Sequence, residues 1–212
     1  MQTMENVPNF KDLNNQYPQI KGFLWDMDGT LCNTEAVHAL ALLKVINKWE
    51  PAQVFSQTEL QDFGIGLTDT MVFEKLKNKG LFENRNIEEF LEFKNDSFLN
   101  ALKSIDNQQI FHEKVRDLLI HIKDHQFKLG LVTSSERAPT ELTLNKLAVT
   151  SYFDLIITQE DTAKNKPDPA PYLLAMNSLK LEKQQTLIFE DSIPGLQAAK
   201  TSGANVIQVK WY

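Results

Sequence analysis

The apolar positions along this chain change rhythm twice. Ile20 to Asp26 is a short apolar run that reads as a buried strand, and it stops at the polar turn Asp26-Met27-Asp28-Gly29. Directly afterwards the spacing becomes helical. Val37, Leu40, Leu43 and Ile46 keep one face apolar as far as Trp49, with Asn33 or Thr34 as the cap and Pro51 as the stop. Thr58 to Phe63 predicts a short second helix. Thr68-Asp69 opens a third, carrying Met71, Val72, Phe73 and Leu76 and closed by Gly80 in the left-handed position after a helix. Ile87 to Ile105 predicts a long amphipathic helix. Between 34 and 104 no strand pattern occurs.

From Val115 helices and strands alternate. A helix carrying Val115, Leu118, Leu119 and Ile122 precedes a strand over Lys128 to Val132, and a helix from Pro139 to Leu147 precedes the strand Phe153 to Ile157. A helix over Ala170 to Leu179, the strand Thr186 to Phe189, a helix from Pro194 to Lys200 and the strand Asn205 to Val209 complete the series. Such alternation argues for a parallel sheet covered on both faces. The fold class expected is α/β: a doubly wound, Rossmann-like core over 1–33 and 105–212, with an all-helical domain inserted over 34–104.

Composition narrows the function. With 212 residues, 42% of them hydrophobic, the chain can bury a real core. A net charge of −6 leaves no basic footprint, so no nucleic-acid partner is expected. One cysteine, Cys32, fits a reducing compartment. The polar stretch Met1 to Tyr17 lacks the regions of a signal peptide, and no apolar run approaches the ~18 residues of a membrane span, so a cytoplasmic location without membrane contact is expected.

The chemistry gathers at the predicted strand ends, where ligands of open α/β sheets bind. In extended backbone, positions i and i+2 share a face, so Asp26 and Asp28 can point into one pocket. That pair reads as a nucleophilic carboxylate beside a divalent cation, with a second acid placed to handle a proton; a solvated Asp/Gly turn is the plain alternative. The same motif also occurs in calcium loops, but that reading weakens because no further acids follow at EF-hand spacing. The strand ending at Val132 delivers Thr133-Ser134-Ser135, which suits a phosphate oxygen but is also ordinary turn and cap chemistry. After the next strand, Lys166 sits in a proline-stiffened loop and can neutralise a phosphate and an attacking carboxylate. The strand ending at Phe189 delivers Glu190 and Asp191, adjacent acids that are costly to bury without a cation. Gly64-Ile65-Gly66 follows no strand and reads as a turn, not a dinucleotide fingerprint. His121 and His125 read as a surface pair.

Asp26-Met27-Asp28-Gly29-Thr30-Leu31 resembles the first motif of the haloacid dehalogenase superfamily, most of whose members are phosphatases. Thr133 resembles its second motif, Lys166-Pro167-Asp168-Pro169 its third, and Glu190-Asp191 its fourth. The stretch Phe189 to Gly203 is similar to the branch containing β-phosphoglucomutase and phosphoglycolate phosphatase, and the resemblance runs over about residues 20 to 210. It implies phosphoryl transfer with Mg2+ through an aspartyl-phosphate on Asp26, with Asp28 as acid and base. It implies that Thr133, Ser134, Lys166 and the backbone N–H groups after Asp26, Gly29 included, hold the transferring oxygens. Asp26, the Asp28 backbone carbonyl and Asp191 would bind the metal, with Glu190 a direct or water-mediated ligand. The helical insert would be a cap that closes over a small phosphorylated metabolite. His38, near the start of the first cap helix, is where relatives place substrate-facing groups; packing within the cap is equally open for it. A monomeric phosphatase is expected. A phosphomutase, a dehalogenase or phosphonate hydrolase, and a non-catalytic binding protein on the same fold are the alternatives. Dehalogenases and phosphonate hydrolases lack the second acid that Asp28 supplies. A mutase needs cations for a second phosphate, whereas Glu136 follows motif two and Asp69 occupies the cap stretch, leaving Arg137, Lys75 and Lys77 as possible substitutes.

Overall fold

The computed structural model describes residues 2–65 and 67–212, so Gly66 of the expected turn lies outside the described residues. Six strands, β1 Gln2–Met4, β2 Gly22–Trp25, β3 Lys128–Val132, β4 Leu155–Ile157, β5 Thr186–Glu190 and β6 Asn205–Val209, form one parallel sheet in the order β1-β6-β5-β2-β3-β4. The helices are α1 Phe10–Gln16, α2 Glu35–Trp49, α3 Gln57–Gly64, α4 Asp69–Lys77, α5 Ile87–Ser104, α6 Asn107–Ile110, α7 Glu113–Asp124, α8 Arg137–Lys146, α9 Ala170–Leu179 and α10 Ile193–Ser202. The chain divides into an α/β unit, up to Asn33 and again over Asn107–Tyr212, and a helical unit, Thr34–Asp106. No helix among the described residues is long and apolar enough to cross a membrane.

In the α/β unit, β2 sits between β5 and β3, and the strand order reverses there. Side chains alternate across the sheet. Leu24 and Ile188 pack with Val132, Tyr172, Met176 and Ala199 in one apolar cluster. Phe23, Trp25 and Phe189 form an aromatic stack that continues to Trp211 and Phe127. Complete burial of each such side chain contributes about 1.5–3 kcal/mol, which makes β2 and β5 the rigid centre of the unit.

Sequence reasoning missed the one-turn helix α6 and two elements near the N-terminus. The polar N-terminal stretch supplies edge strand β1, paired with β6, and helix α1. Neither carries a periodic signal: β1 is three residues long, and in α1 only Leu13 is buried. His121 and His125 are exposed beside this helix, with Phe10 stacked against both rings. Each Nδ1 lies within 2.8 Å of the backbone carbonyl four residues earlier, so each Nδ1 carries the proton and the two rings repeat one geometry. They are a surface pair.

In the helical unit, Phe73, Phe82 and Phe90 stack at the centre of the apolar cluster. Helix α4 ends as expected: Gly80 has φ +82°, its N–H donates to the Lys77 carbonyl, and Leu81 N–H donates to Leu76. Helix α5 contains a surprise. Phe90, Lys94 and Phe98 lie on one buried stripe, so a lysine side chain only 3% exposed faces inward. Its ammonium is ion-paired to Asp69 and lies 3.2 Å from Nδ1 of His38, whose ring stacks on Phe98. Removing one partner of a buried pair leaves a charge uncompensated. Asp69→Asn is therefore expected to destabilise the protein by roughly 3 kcal/mol in denaturant titration, with the loss confined to helical-unit amides in hydrogen exchange.

Candidate active site

Three neighbouring strands end together. In the sheet register Trp25 lies beside Leu131 on one side and Phe189 on the other, so Asp26, Thr133 and Glu190 emerge at one edge. The Asp26 N–H donates to the Phe189 carbonyl at 3.1 Å, and the Thr133 N–H donates to Ile157 at 2.9 Å, which extends the ladders to the carboxylate and the hydroxyl. The fourth contribution comes from the loop after β4. There Lys166, followed by a cis bond to Pro167, reaches across to the end of β2.

Lys166 is 3% exposed and its three ammonium protons all have acceptors: Asp26 Oδ1 at 2.6 Å, Glu190 Oε1 at 2.7 Å and the Val132 carbonyl at 2.9 Å. Glu190 is fully buried. Its Oε1 also accepts from the Tyr172 hydroxyl at 3.1 Å, and its Oε2 accepts from the Ser192 N–H and hydroxyl at 3.0 and 3.1 Å. Asp191 Oδ1 accepts from the Thr30 hydroxyl at 2.9 Å. Two glycines make room for these acids. A Cβ on Gly195 would lie 1.7 Å from Glu190 Oε1, and one on Gly29, at φ +83°, would lie 2.3 Å from Asp191 Oδ2.

One ammonium serves three carboxylates here, and the balance shows in their proton affinities. Burial, reinforced by Glu190, pushes Asp26 well above the usual carboxylate range, against the pull of Lys166. Burial and Glu190 raise Asp191 to about 7, although the Thr30 hydrogen bond and Lys166 oppose the shift. Burial works against charge on Lys166, but Asp26 and Glu190 outweigh it and hold the ammonium well above its ordinary value. Asp26, Glu190 and Asp191 each offer an oxygen within 4.8 Å of the others. Hard oxygen donors with excess negative charge suit a small divalent cation such as magnesium, so the residues present fit that ion.

The remaining candidates line the same edge. Asp28 Oδ2 accepts from the Ser135 hydroxyl at 2.8 Å. Thr133 Oγ1 accepts from the Ser135 N–H at 3.0 Å, which leaves the Thr133 hydroxyl proton to donate elsewhere. Ser134 Oγ is buried without a hydrogen-bond partner. His38 alone of the predicted site residues belongs to the helical unit, where it meets Lys94 and Phe98. Sequence reasoning missed Thr30, Ser135, Tyr172 and Ser192. Ser192 had a signal, since it caps α10 directly after the two acids.

A pH experiment checks the crowding of charge. Asp191 holds its proton more tightly folded, at about 7, than unfolded, at about 3.9, so its contribution favours folding at low pH and is lost as pH rises to about 7. In metal-free buffer, Asp191→Asn should gain stability relative to wild type between pH 4 and 7, by at most about 1.4 kcal/mol per unit, and level off above. Thermal melts of both proteins across that window, with chelator present, would test this; a constant difference would contradict it.

The comparisons with known proteins bear on the whole chain. A pyrophosphatase, PpaX, from Bacillus cereus is 27% identical over 193 residues, covering 91% of this chain and 84% of that protein. A predicted phosphoglycolate phosphatase from Haemophilus somnus superposes with a TM-score of 0.78 at 21% identity, over 91% of this chain and 86% of the other. A β-phosphoglucomutase from Clostridium difficile does so at 0.77 and 23%, over 89% and 84%. These two likenesses concern the fold, which a phosphatase and a mutase share. The haloacid dehalogenase-like hydrolase family model matches residues 23–209, from the start of β2 to the end of β6, and the chain belongs to that family.

Proposed function

We propose that the protein is a magnesium-dependent phosphatase that hydrolyses a small phosphorylated metabolite through an aspartyl-phosphate on Asp26. The observation that carries this reading is the Lys166 ammonium 2.6 Å from Asp26, with Thr133 and Glu190-Asp191 at the ends of the two flanking strands. Asp26 attacks phosphorus; Lys166 keeps its charge beside both the carboxylate and the incoming phosphoryl oxygens. The Thr133 and Ser134 hydroxyls and the Gly29 N–H hold those oxygens. Asp28 protonates the leaving oxygen, then takes a proton from the water that cleaves the phosphoenzyme. Asp26, Asp191 and the Asp28 backbone carbonyl would hold magnesium. Glu190, whose oxygens already accept from Lys166, Tyr172 and Ser192, anchors the lysine and would add negative charge to the metal site. When bound, the ion supplies positive charge that lets an anionic carboxylate approach an anionic phosphate. The helical unit is the cap, and substrate choice is assigned to it, His38 included.

Water is favoured over a sugar hydroxyl as the acceptor. A mutase must grip a second phosphate, and the cations that could do so are engaged. Arg137 pairs with Asp161 at 2.6 Å and Glu141 at 3.8 Å. Lys75 donates to the Phe63 carbonyl and lies over its ring; Lys77 donates to the Arg85 carbonyl. The deciding experiment offers a panel of phosphomonoesters, with inorganic pyrophosphate because of the Bacillus cereus relative, and β-glucose 1-phosphate with a trace of its bisphosphate. Steady phosphate release from a member of the panel supports the reading. Isomerisation of the sugar phosphate without phosphate release overturns it.

Two sets of measurements probe the roles. Asp26→Asn should reduce turnover to background with the melting profile retained, whereas Asp28→Asn should lower it about a hundred- to ten-thousandfold, the usual worth of a positioned acid. Exhaustive chelation should abolish phosphate release and magnesium should restore it. Calcium should support far less, because its larger, many-ligand shell would draw in the Asp26 oxygens needed for attack.

A further inference from the structure

We infer that Ser135 is a positioning residue for the proton-transferring carboxylate, an inference that rests on the acid role proposed for Asp28. The Ser135 hydroxyl donates to Asp28 Oδ2 at 2.8 Å, across 107 residues of sequence. What makes this contact a support is how firmly Ser135 itself is held. Its N–H donates to Thr133 Oγ1 at 3.0 Å, and its carbonyl accepts from the Gln159 N–H at 3.1 Å. The residue is thereby tied to the end of β3 on one side and to the segment after β4 on the other. Its hydroxyl projects from a fixed point.

An acid that serves a leaving oxygen must hold its carboxyl group in one place. Asp28 lies past the end of β2, in the turn around Gly29, and forms a β-bridge to Cys32 there. A half-buried aspartate on a turn samples more than one rotamer, and general acid catalysis requires the carboxyl group within hydrogen-bond reach of the leaving oxygen. A serine hydroxyl bound to one carboxylate oxygen fixes the χ angles of the acid without changing its charge. The same three residues, Thr133-Ser134-Ser135, therefore divide their work. The first two face the transferring phosphoryl oxygens, and the third holds the group that serves the departing one.

The consequence is selective. An alkyl phosphate expels an alkoxide that must be protonated as it leaves, whereas p-nitrophenyl phosphate expels a stabilised phenolate that needs no proton. Loss of the support should damage the first reaction and largely spare the second. The test measures kcat/KM, which reports steps through cleavage of the phosphate ester, for glycerol 3-phosphate and p-nitrophenyl phosphate in wild type, Ser135→Ala, Ser135→Thr and Asp28→Asn. Ser135→Ala should lose about tenfold or more on the alkyl ester and less than about threefold on the aryl ester, with an unchanged melting temperature. Ser135→Thr, which keeps the hydroxyl, should restore most of the loss. Equal losses on both esters, or no rescue by threonine, would overturn the positioning role while leaving the acid role intact if Asp28→Asn discriminates between the esters. An Asp28→Asn variant that fails to discriminate would remove the acid role and this inference together.

Discussion

Everything at this edge of the sheet answers to one electrostatic constraint: two buried carboxylates and a half-buried third share a single ammonium. Asp26, Glu190 and Asp191 meet within a few ångströms, and Lys166 bonds to two of them directly. Burying acids in such proximity costs several kcal/mol per uncompensated charge, so the sheet must supply rigidity, and the group suits a divalent cation. Around this cluster the fold arranges small concessions. Gly29 and Gly195 forgo side chains so that Asp191 and Glu190 can lie against the backbone, and Thr30, Tyr172 and Ser192 give hydroxyl protons to acids the lysine cannot satisfy alone.

The parallel sheet is the natural frame for such a cluster. All strands run the same way, so three adjacent strands can deliver acids and a hydroxyl to one edge in register, while helices cover both faces. The lysine arrives by a separate route, on a loop entering α9, and Tyr172 two helical positions further on braces it from behind at 5.0 Å. The acids, the hydroxyl and the ammonium thus come from different chain segments whose relative positions are set by ladder hydrogen bonds and aromatic packing.

Much of this is legible in the sequence. An apolar run ending in an acid, a hydroxyl or an acid pair is a strong local signal, because burial and charge are set by neighbouring residues in sequence. Asp26, Thr133, Glu190 and Asp191 stand at such ends, whereas Lys166 is marked by the proline-stiffened loop it sits in. Ser135 and Tyr172 carry no such mark, since hydroxyl residues are common in turns and helices and only a partner 107 or 18 positions away distinguishes them. Lys94 was hidden for the opposite reason. A charge on an amphipathic helix reads as solvent-facing, and its place in the Phe90-Lys94-Phe98 stripe matters only once Asp69 is seen beside it. The edge strand β1 and helix α1 were too short and too polar to show a period.

The ladder that pins the loop after β2 also sets an order of events in the ribosome's exit path. Asp26 is synthesised 140 residues before the lysine that neutralises it. The Thr30 and Leu31 carbonyls wait 181 residues for the Trp211 indole N–H and the Tyr212 hydroxyl that fasten them. At cellular elongation rates of ~5–20 residues per second, the central strand spends on the order of ten seconds with neither its flanking strands nor its counter-charge. During that interval a carboxylate at the end of an apolar run acts as a gatekeeper, keeping a sticky strand soluble by charge. Once Lys166 arrives, that same charge becomes the centre of the folded sheet.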